Sequence, residues 1–306
     1  MQTKINIEKC ELCPRKCRAN RMKRQFGYCN CSDDPLISSI FLHQGEEPVL
    51  SGTKGICNVF FAHCNLQCIY CQNHQISRNN YFEPSWVLGY SDIVATICRQ
   101  LDTGIKLLGF VSPSHQVVQM CGIIEKLFQK GYHPRIVYNT NCYDDINTLK
   151  ELEGIVDIYL PDFKYFDNFL GLKYSDVPDY FTIAAKAFKE MFRQKGSTLL
   201  VDSEGIAESG IIVRHLALPS HSDDSIRIFE FLAEEFSSKL HVSLMAQYYP
   251  TNQVKGFYPL NRTISLAEYS RVVHKVEEIG FRGWIQELSS SKFYQPDFSK
   301  NKPFGE

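Results

Sequence analysis

Short apolar segments alternate with longer amphipathic segments along most of the chain, and this alternation constrains the fold more than any other feature. The apolar segments are typical of buried strands, whereas apolar residues at helical spacing are typical of helices. The predicted strands cover 56–62, 107–111, 134–139, 155–160, 210–218, 240–247 and 281–286. The predicted helices cover 91–101, with Ser91 as its N-cap, and 115–131, 145–153, 180–196, 222–236 and 265–280. Such alternation predicts parallel strands covered by helices.

Parallel strands of this kind form an open sheet or a full or partial barrel, with active sites at the carboxyl ends of the strands. The 306 residues are enough for one main domain with a full core. We therefore expect an α/β fold class, with a partial (β/α) barrel over residues 54–288. A Cys-rich segment, residues 1–53, precedes it, and a tail without periodicity, residues 289–306, is expected to be mobile or to fold over the mouth of the barrel.

The charge of the chain is balanced, with 33 basic and 34 acidic residues and a net charge of -1. This balance gives no overall electrostatic attraction to nucleic acid or to an anionic membrane, so such a partner would need a local patch. No segment has the roughly 18 uninterrupted apolar residues of a membrane span. The start "MQTKINIEKC" also lacks the apolar core of a signal peptide. The sequence therefore predicts a cytoplasmic protein.

The chain has twelve cysteines, most of them in its first quarter. A chain of this size without a predicted signal peptide does not fit a small disulfide scaffold, so we expect free thiols. Clustered free thiols indicate metal binding. The cysteines before residue 72 are Cys10, Cys13, Cys17, Cys29, Cys31, Cys57, Cys64, Cys68 and Cys71. Cys57, Cys98, Cys121 and Cys142 stand in apolar surroundings and are predicted to be small buried side chains.

Three of these cysteines lie in the stretch "FFAHCNLQCIYCQN", just beyond the first predicted strand. Cys64, Cys68 and Cys71 are close enough to hold one metal centre at the edge where a barrel places its chemistry. Iron–sulfur clusters normally take four cysteines, so three ligands leave one iron open to a substrate or cofactor. The alternative is a structural zinc site completed by His63 or His74. Structural zinc, however, usually draws paired ligands from two separated motifs.

The segment "CNLQCIYC" is similar to the radical SAM signature Cys-x3-Cys-x-aromatic-Cys, with Tyr70 at the aromatic position. Further segments between residues 10 and 287 resemble the group related to the pyruvate formate-lyase activating enzyme. They are "CELCPRKCRANR", "HQGEEPVLSG", "FVSPSHQVVQ", "IVYNTNCY", "DIYLPDFKY", "GIIVRHLALP" and "SLMAQYYP". The triad is the specific motif of the series, and each of the other segments is weak when taken alone. The resemblance implies a radical SAM-type partial barrel.

This resemblance implies a 4Fe-4S cluster on the triad, with its free iron chelated by the amino and carboxylate groups of S-adenosylmethionine. An electron from the reduced cluster would split the sulfonium into methionine and a 5'-deoxyadenosyl radical, which removes a substrate hydrogen. The implied partners are an electron donor such as flavodoxin or ferredoxin and a glycyl radical enzyme or other protein substrate. The alternatives are modification of a small molecule, peptide or RNA, and a noncatalytic iron–sulfur or electron-transfer protein. No side chain is assigned as catalytic.

Polar residues at later strand ends are candidates for holding that cofactor. They are Asn139, Thr140, Asn141, Asp162, Lys164 and Arg214. The Asn-Thr-Asn turn offers groups for a ribose hydroxyl, and the next strand end offers an acceptor and a cation. The resemblance implies that Arg214 pairs with the cofactor carboxylate, which suits a planar guanidinium. Ordinary caps, turns and ion pairs are the alternatives.

The stretch "VSPSHQ" departs from the resemblance, because activating enzymes usually have Gly-Gly-Glu at this place to receive the cofactor amino group. Here Ser112, Ser114 or backbone carbonyls are the candidates, with His115 beside them, and a serine at this place also suits a helix cap.

The Cys-rich segment is a candidate second metal site. Cys10, Cys13 and Cys17 have Cys-x2-Cys-x3-Cys spacing, and either Cys29 or Cys31 could supply a fourth thiolate for zinc or iron–sulfur. Metal-free thiols packed against the barrel are the alternative. The basic residues among them are Arg15, Lys16, Arg18, Arg21, Lys23 and Arg24. Such a run is usually a solvated face and less often meets phosphate or an acidic partner.

Glu46 and Glu47 precede the barrel and could meet a substrate ammonium or act as an acid–base pair, but we expect them to form salt bridges with the basic run. Gln286 ends the last predicted strand, where it would contact substrate or serve as a hydrogen-bonded structural amide.

Overall fold

The computed structural model describes residues 5–300 and 302–305. The first four residues of the predicted Cys-rich segment, and residues 301 and 306 of the predicted tail, lie outside the described residues. The strands are β1 Ile37–His43, β2 Ile56–Phe61, β3 Leu107–Val111, β4 Arg135–Thr140, β5 Ile158–Pro161, β6 Leu200–Val201, β7 Ala207–Leu216, β8 His241–Met245 and β9 Arg282–Ile285. The helices are α1 Pro48–Ser51, α2 His74–Ser77, α3 Tyr90–Leu101, α4 Val117–Gln129, α5 Ile146–Glu151, α6 Asn168–Ser175, α7 Tyr180–Lys195, α8 Ser222–Glu235 and α9 Leu266–Ile279.

The strands form one sheet in the order β1-β2-β3-β4-β5-β7-β8-β9, with β6 added on β7. All neighbours from β2 to β9 along this path are parallel, whereas β1 joins β2 antiparallel and β6 joins β7 antiparallel. The path ends at β1 on one side and β9 on the other, so the sheet does not close. The predicted α/β class and partial (β/α) barrel are confirmed.

The parallel arrangement follows from the apolar strands. Every residue of β2, β3 and β5 is buried, as expected when helices cover a parallel sheet. Among the helices, α3 packs on α4, α5 on α7 and α8 on α9. Ser265 opens α9 with a capping box in which its hydroxyl bonds the Glu268 amide and the Glu268 carboxylate returns to the Ser265 amide. The parallel strands β2, β3, β4, β5, β7, β8 and β9 therefore end beside one another at one edge of the sheet.

Several elements were not predicted. The antiparallel edge strand β1 lies within the predicted Cys-rich segment, and α6 and β6 fall in two stretches for which the sequence predicted no element. The predicted Ser91 cap was wrong, because α3 begins at Tyr90 after Gly89 and has no side-chain cap bond. The boundary at residue 53 stays a prediction.

The tail folds over the mouth of the barrel. Gln75 in α2 donates to Asp297 at 3.1 Å and accepts from the amide of Phe298 at 2.8 Å. The Phe298 ring packs edge-on against Phe60 with 5.4 Å between centroids. The expected tail is thus held against the carboxyl end of β2. Among the described residues, none of the helices has the length and apolar character needed to cross a membrane.

Candidate functional site

One cavity of about 320 Å³ lies at the carboxyl ends of the parallel strands. It brings together almost every residue predicted to hold a cluster or cofactor. Those lining it are Cys64, Cys68, Tyr70, Cys71, Ser112, Asn139, Thr140, Asn141, Asp162, Lys164 and Arg214. Ser114 does not line it, and its buried hydroxyl lies 3.1 Å from that of Thr140. These candidates are spread over 150 residues of sequence, and they meet in one cavity because parallel strands end at one edge of the sheet.

The triad occupies the loop between β2 and α2, and each of its sulfurs accepts a hydrogen bond. The donors are the Leu66 amide to Cys64 (3.4 Å), the Ser175 hydroxyl to Cys68 (2.9 Å) and the Ser77 hydroxyl to Cys71 (3.3 Å). Hydrogen bonds to thiolate sulfurs stabilise their negative charge and tune a bound iron–sulfur cluster. The sulfurs therefore lie in surroundings suited to thiolate ligands.

Asparagine side chains hold the triad loop against the end of β4. Asn141 donates through Nδ2 to Asn65 Oδ1 at 2.7 Å, and Asn65 donates to the Tyr143 carbonyl at 2.7 Å. The same Asn141 side-chain amide lies 3.5 Å from the Cys64 sulfur. The backbone amide of Cys64 donates to Asn79 Oδ1 at 3.1 Å. Asn141 is therefore a structural contact of the cysteine loop as well as a wall of the cavity.

The strand ends beside Asn141 are also joined to one another. The amide of Ser112, at the end of β3, donates to the Asn139 carbonyl at 2.8 Å. The Thr140 hydroxyl donates to the buried Asp144 carboxylate at 2.5 Å. These bonds fix the predicted ribose-binding turn before any cofactor is present.

Burial controls protonation at the triad. Burial, with a further contribution from the neighbouring Cys68, raises the pKa of Cys64 to about 12. A buried thiol is therefore protonated at neutral pH, and a bound metal would be needed to hold it as thiolate. Burial would lower the pKa of Lys164, but Asp162 and Cys68 raise it above its ordinary value. The Asp162 carboxylate lies 2.9 Å from the Lys164 ammonium. Lys164 thus supplies a fixed positive charge beside the sulfurs.

Arg214 is held in the same cavity by two carboxylates. Its Nε donates to Glu47 at 2.8 Å, and its Nη2 contacts both Glu46 and Glu47. Glu46 also accepts from Asn58 at 2.7 Å. Burial would raise the pKa of Glu46, but the Arg214 guanidinium holds it below its ordinary value. The prediction that the two glutamates pair with the basic run was wrong, because both carboxylates pair with Arg214 of β7 instead.

Three exposed members of the basic run pair with other carboxylates. Lys16 lies 3.5 Å from Asp145, Arg18 lies 2.8 Å from Glu11, and Arg24 lies 3.6 Å from Asp34. These are mostly exposed pairs, as expected for a solvated face.

The histidines proposed to complete a zinc site contact backbone instead. His63 Nδ1 is 2.9 Å from the Cys29 carbonyl and its Nε2 is 2.8 Å from the Tyr81 carbonyl. His74 Nδ1 is 3.2 Å from the Cys71 carbonyl. Across residues 5–300 and 302–305, no three His, Cys, Asp or Glu side chains converge to hold one ion. A four-iron cluster does not require such convergence, because each thiolate binds a different iron.

Sequence reasoning missed the residues that support the triad. Tyr70 and Tyr165 share a hydrogen bond of 2.6 Å, and the Tyr165 hydroxyl lies 2.7 Å from that of Ser175. Ser175 ends the unpredicted helix α6, and Tyr165 closes the quoted segment "DIYLPDFKY" but was not singled out within it. Gln286 lines the cavity and also forms structural bonds, accepting from the Ala246 amide at 3.0 Å.

No protein-family model matches the chain. The uncharacterized protein MJ0674 of Methanocaldococcus jannaschii is 29% identical over 288 residues, which cover 91% of this chain and 78% of that protein. This relative carries no functional description.

Solved structures share the fold at low sequence identity. A radical SAM methyltransferase from Sphaerobacter thermophilus has a TM-score of 0.53 and 12% identity, covering 76% of this chain and 65% of that chain. Methylornithine synthase (PylB) has a TM-score of 0.52 and 13% identity, covering 74% and 63%. The FeFe-hydrogenase maturase HydG has a TM-score of 0.51 and 12% identity, covering 74% and 50%. The chain thus has the fold of radical SAM enzymes and spans about half to two thirds of the length of these proteins.

Proposed function

We propose that the protein is a radical SAM enzyme that binds a 4Fe-4S cluster through Cys64, Cys68 and Cys71. The observation that carries this proposal is the shared cavity, in which three hydrogen-bonded sulfurs face polar strand ends on a fold common to radical SAM enzymes. When bound, the reduced cluster and S-adenosylmethionine supply a 5'-deoxyadenosyl radical that can remove a substrate hydrogen.

The residues present fit both groups. Three thiol donors leave one position of a four-iron cluster for an outside ligand, as a catalytic metal site requires. A cavity of about 320 Å³ lies within the range of small-molecule sites. Its wall also carries both signs of charge, with Lys164 able to meet a carboxylate and Asp162 able to accept from a hydroxyl or ammonium group.

The chain's own residues would orient the cofactor and limit water. Asn139, Thr140 and Ser112 form a wall whose backbone and side-chain bonds are already made, so little ordering is needed on binding. Tyr294 and Phe304 of the tail line the cavity at its mouth. Covering the mouth with aromatic side chains restricts water around a reactive intermediate.

The finer proposal is an activase that removes a hydrogen from a glycine of a partner enzyme, with flavodoxin or ferredoxin as the electron donor. Its support is the series of motifs resembling activating enzymes, from "HQGEEPVLSG" to "SLMAQYYP". Modification of a small molecule, peptide or RNA, and a noncatalytic iron–sulfur role, are the competing functions.

Anaerobically reconstituted protein, reduced with dithionite in the presence of S-adenosylmethionine, is expected to release methionine and 5'-deoxyadenosine. Chromatography of the products measures this cleavage, and unreduced protein is the control. Binding without cleavage would favour the noncatalytic role. A glycyl radical signal on a partner enzyme, detected by electron paramagnetic resonance, would support the activase, and its absence with a cleavage-competent enzyme would favour another substrate.

The Ser175→Ala variant tests the hydroxyl that donates to Cys68. We expect the cluster to be retained, its reduction potential to become more negative, and the cleavage rate to fall about tenfold, as for loss of other outer-sphere contacts. The physical reason is that a hydrogen-bond donor to sulfur stabilises the more negative reduced cluster. Redox titration monitored by electron paramagnetic resonance measures the shift. Ser222→Ala, which removes a buried hydroxyl bonded to the Glu268 carbonyl, is the control. An unchanged potential in Ser175→Ala would contradict the role.

A further inference from the structure

The barrel has an open side, and the tail lies across it. Within the described residues the sheet has β1 at one edge and β9 at the other, and it does not close between them. After β9 the chain forms a short 3-10 helix at Leu288–Lys292 and continues into residues 293–300 and 302–305, here called the tail segment. Rings of this segment contact side chains of β1 and β2. The tail segment therefore runs from one free edge of the sheet to the other.

Two phenylalanine rings of the tail segment fill this open side. Phe304 packs on His43 and Phe41 of β1, with 4.4 and 6.0 Å between ring centroids. Phe298 and Phe304 both contact Phe60 of β2, at 5.4 and 6.1 Å. Phe41 and Phe60 are themselves stacked at 5.0 Å. The rings form one aromatic cluster that joins the tail segment to β1 and β2.

The same cluster borders the cavity that holds the triad. Tyr294, Pro296 and Phe304 of the tail segment line this cavity, together with Phe60 of β2. Tyr294 and Phe304 are also partly exposed to solvent. Cys71 of the triad lines the same cavity. The tail segment is thus a wall between solvent and the triad, on the side that the sheet leaves open.

Few bonds hold this wall in place. Among the described residues, the backbone–backbone hydrogen bonds of the tail segment join it only to itself or to Leu288–Lys292. Its side-chain bonds to the barrel both use Gln75 of α2, which donates to Asp297 at 3.1 Å and accepts from the Phe298 amide at 2.8 Å. The segment is therefore attached to the barrel by side chains and not by backbone pairing with β1.

A segment attached in this way can open while the barrel stays folded. Local opening requires the least free energy where buried apolar contacts are few. Phe298 and Phe304 are only partly buried. The Asp297 amide donates to the Pro303 carbonyl at 2.8 Å, a bond within the segment that is kept when the segment moves as a unit. Opening would therefore break ring contacts and the two bonds of Gln75, and no bond of the sheet.

We propose that Phe298 and Phe304 set the size of the substrate that reaches the triad. With both rings in place, the open side of the barrel is closed, and small molecules alone pass into the cavity. A polypeptide substrate enters through this side after the tail segment is displaced. The inference rests on the proposed function for the reaction that follows entry, whereas control of entry is a property of the fold.

The size of the entrance can be measured with thiol reagents on the full chain in its metal-free form. Cys71 is partly buried and lines the cavity, so it reports access. N-ethylmaleimide is the small probe, and a maleimide linked to the middle of a glycine–serine peptide is the polypeptide probe. The ratio of their reaction rates at Cys71, followed by mass spectrometry, cancels the intrinsic reactivity of the thiol.

In the variant with Phe298→Ala and Phe304→Ala, we expect the ratio of peptide-probe to small-probe rates to rise about tenfold, because the tail segment is displaced more often. Phe293→Ala is the matched control, since this ring belongs to the same segment but is 74% exposed and does not line the cavity. Its ratio should equal that of the unchanged protein. An unchanged ratio in the double variant would overturn the proposal.

A second variant covers the case in which the double variant fails to fold. Cys57 and Cys142 are fully buried and should stay unmodified in a folded barrel. If they react in the double variant, Gln75→Ala replaces it, because this change removes two hydrogen bonds and leaves both rings. We then expect the ratio to rise about threefold, as for loss of weak hydrogen bonds. No rise in a folded Gln75→Ala protein would also overturn the proposal.

Hydrogen exchange tests displacement in the unchanged protein. The Asp297 and Phe298 amides should exchange much faster than the Val59 amide in the buried strand β2, because they become exposed by local opening. Exchange as slow as that of Val59 would show that the tail segment does not open, and would overturn the proposal.

These measurements need neither the cluster nor S-adenosylmethionine, so the two proposals can fail separately. If the ratio rises in the double variant but reconstituted protein cleaves no S-adenosylmethionine, the tail segment controls access and the proposed function is wrong. If cleavage occurs and the ratio is unchanged, the proposed function stands and the control of access is wrong.

Discussion

Changing Cys64, Cys68 or Cys71 to Ala is expected to abolish both the reduced-cluster signal and the cleavage of S-adenosylmethionine. Each sulfur would bind a separate iron, and two remaining thiols are too few for a cluster that normally takes four ligands. Loss of cleavage should be complete to the detection limit, because the electron that splits the sulfonium comes from this cluster. Iron and sulfide analysis, electron paramagnetic resonance and product chromatography measure the three consequences.

Cys121→Ala is the matched control for these variants. Cys121 is buried in α4 and does not line the cavity, and removing its sulfur leaves only a small gap. Its cluster content and cleavage should match those of the unchanged protein. A triad variant that kept full cleavage would refute the ligand assignment, and one that held a four-coordinate zinc at the loop would refute the radical SAM proposal.

The strand–helix alternation predicted the barrel because buried parallel strands are continuous apolar runs. Segments such as "LLGFV" and "IVDIYL" are apolar at nearly every position, so both faces of the strand must be buried, as in a parallel sheet covered by helices. Once strands are parallel, their carboxyl ends share an edge, so the positions of Asn141, Asp162 and Arg214 in one cavity followed from topology alone. Ser114 shows the limit of that reasoning, because one turn beyond the strand end its side chain points into the core.

Long-range partners were beyond the sequence. Ser175 bonds Cys68 across 107 positions of the chain, and Glu47 bonds Arg214 across 167. Neither pair has a local pattern, since a hydroxyl or carboxylate carries no sign of which distant group it meets. The basic run gave a similar error, because a cluster of basic residues is usually a solvated face and its sequence did not distinguish the buried Arg21 from its exposed neighbours. Such pairings are decided by tertiary packing and not by local propensity.

Replacing Arg214 by Met is expected to lower the free energy of unfolding at pH 7 by about 3–5 kcal/mol, the usual cost of removing one partner of a buried ion pair. Glu46 and Glu47 would remain as two buried carboxylates without their guanidinium. Urea unfolding followed by circular dichroism measures the change. The triple variant, which carries Glu46→Gln and Glu47→Gln in addition to Arg214→Met, should recover most of the lost stability, because no uncompensated charge then remains.

The free energy of unfolding lost in Arg214→Met should become smaller as the pH falls. In the unchanged protein, Arg214 holds the pKa of Glu46 below its ordinary value, so this carboxylate stabilises the fold above the unfolded pKa and loses that contribution in acid. Without Arg214, burial would raise the pKa of Glu46 above its unfolded value, so the variant gains stability as protons bind. The difference in unfolding free energy between the unchanged protein and Arg214→Met should therefore be smaller at pH 5 than at pH 7. A difference that does not change with pH would exclude this electrostatic origin.

The same set of variants separates the structural role of Arg214 from cofactor binding. The triple variant should fold and keep its cluster, yet bind S-adenosylmethionine about 10- to 100-fold more weakly, as expected for loss of a charged hydrogen bond worth about 1.5–3 kcal/mol. Anaerobic equilibrium dialysis measures the affinity. The Glu46→Gln variant, which keeps the guanidinium and its Glu47 contacts, is the control and should bind normally. Unchanged affinity in the triple variant would restrict Arg214 to neutralising two carboxylates and leave Lys164 as the cation that meets the cofactor carboxylate.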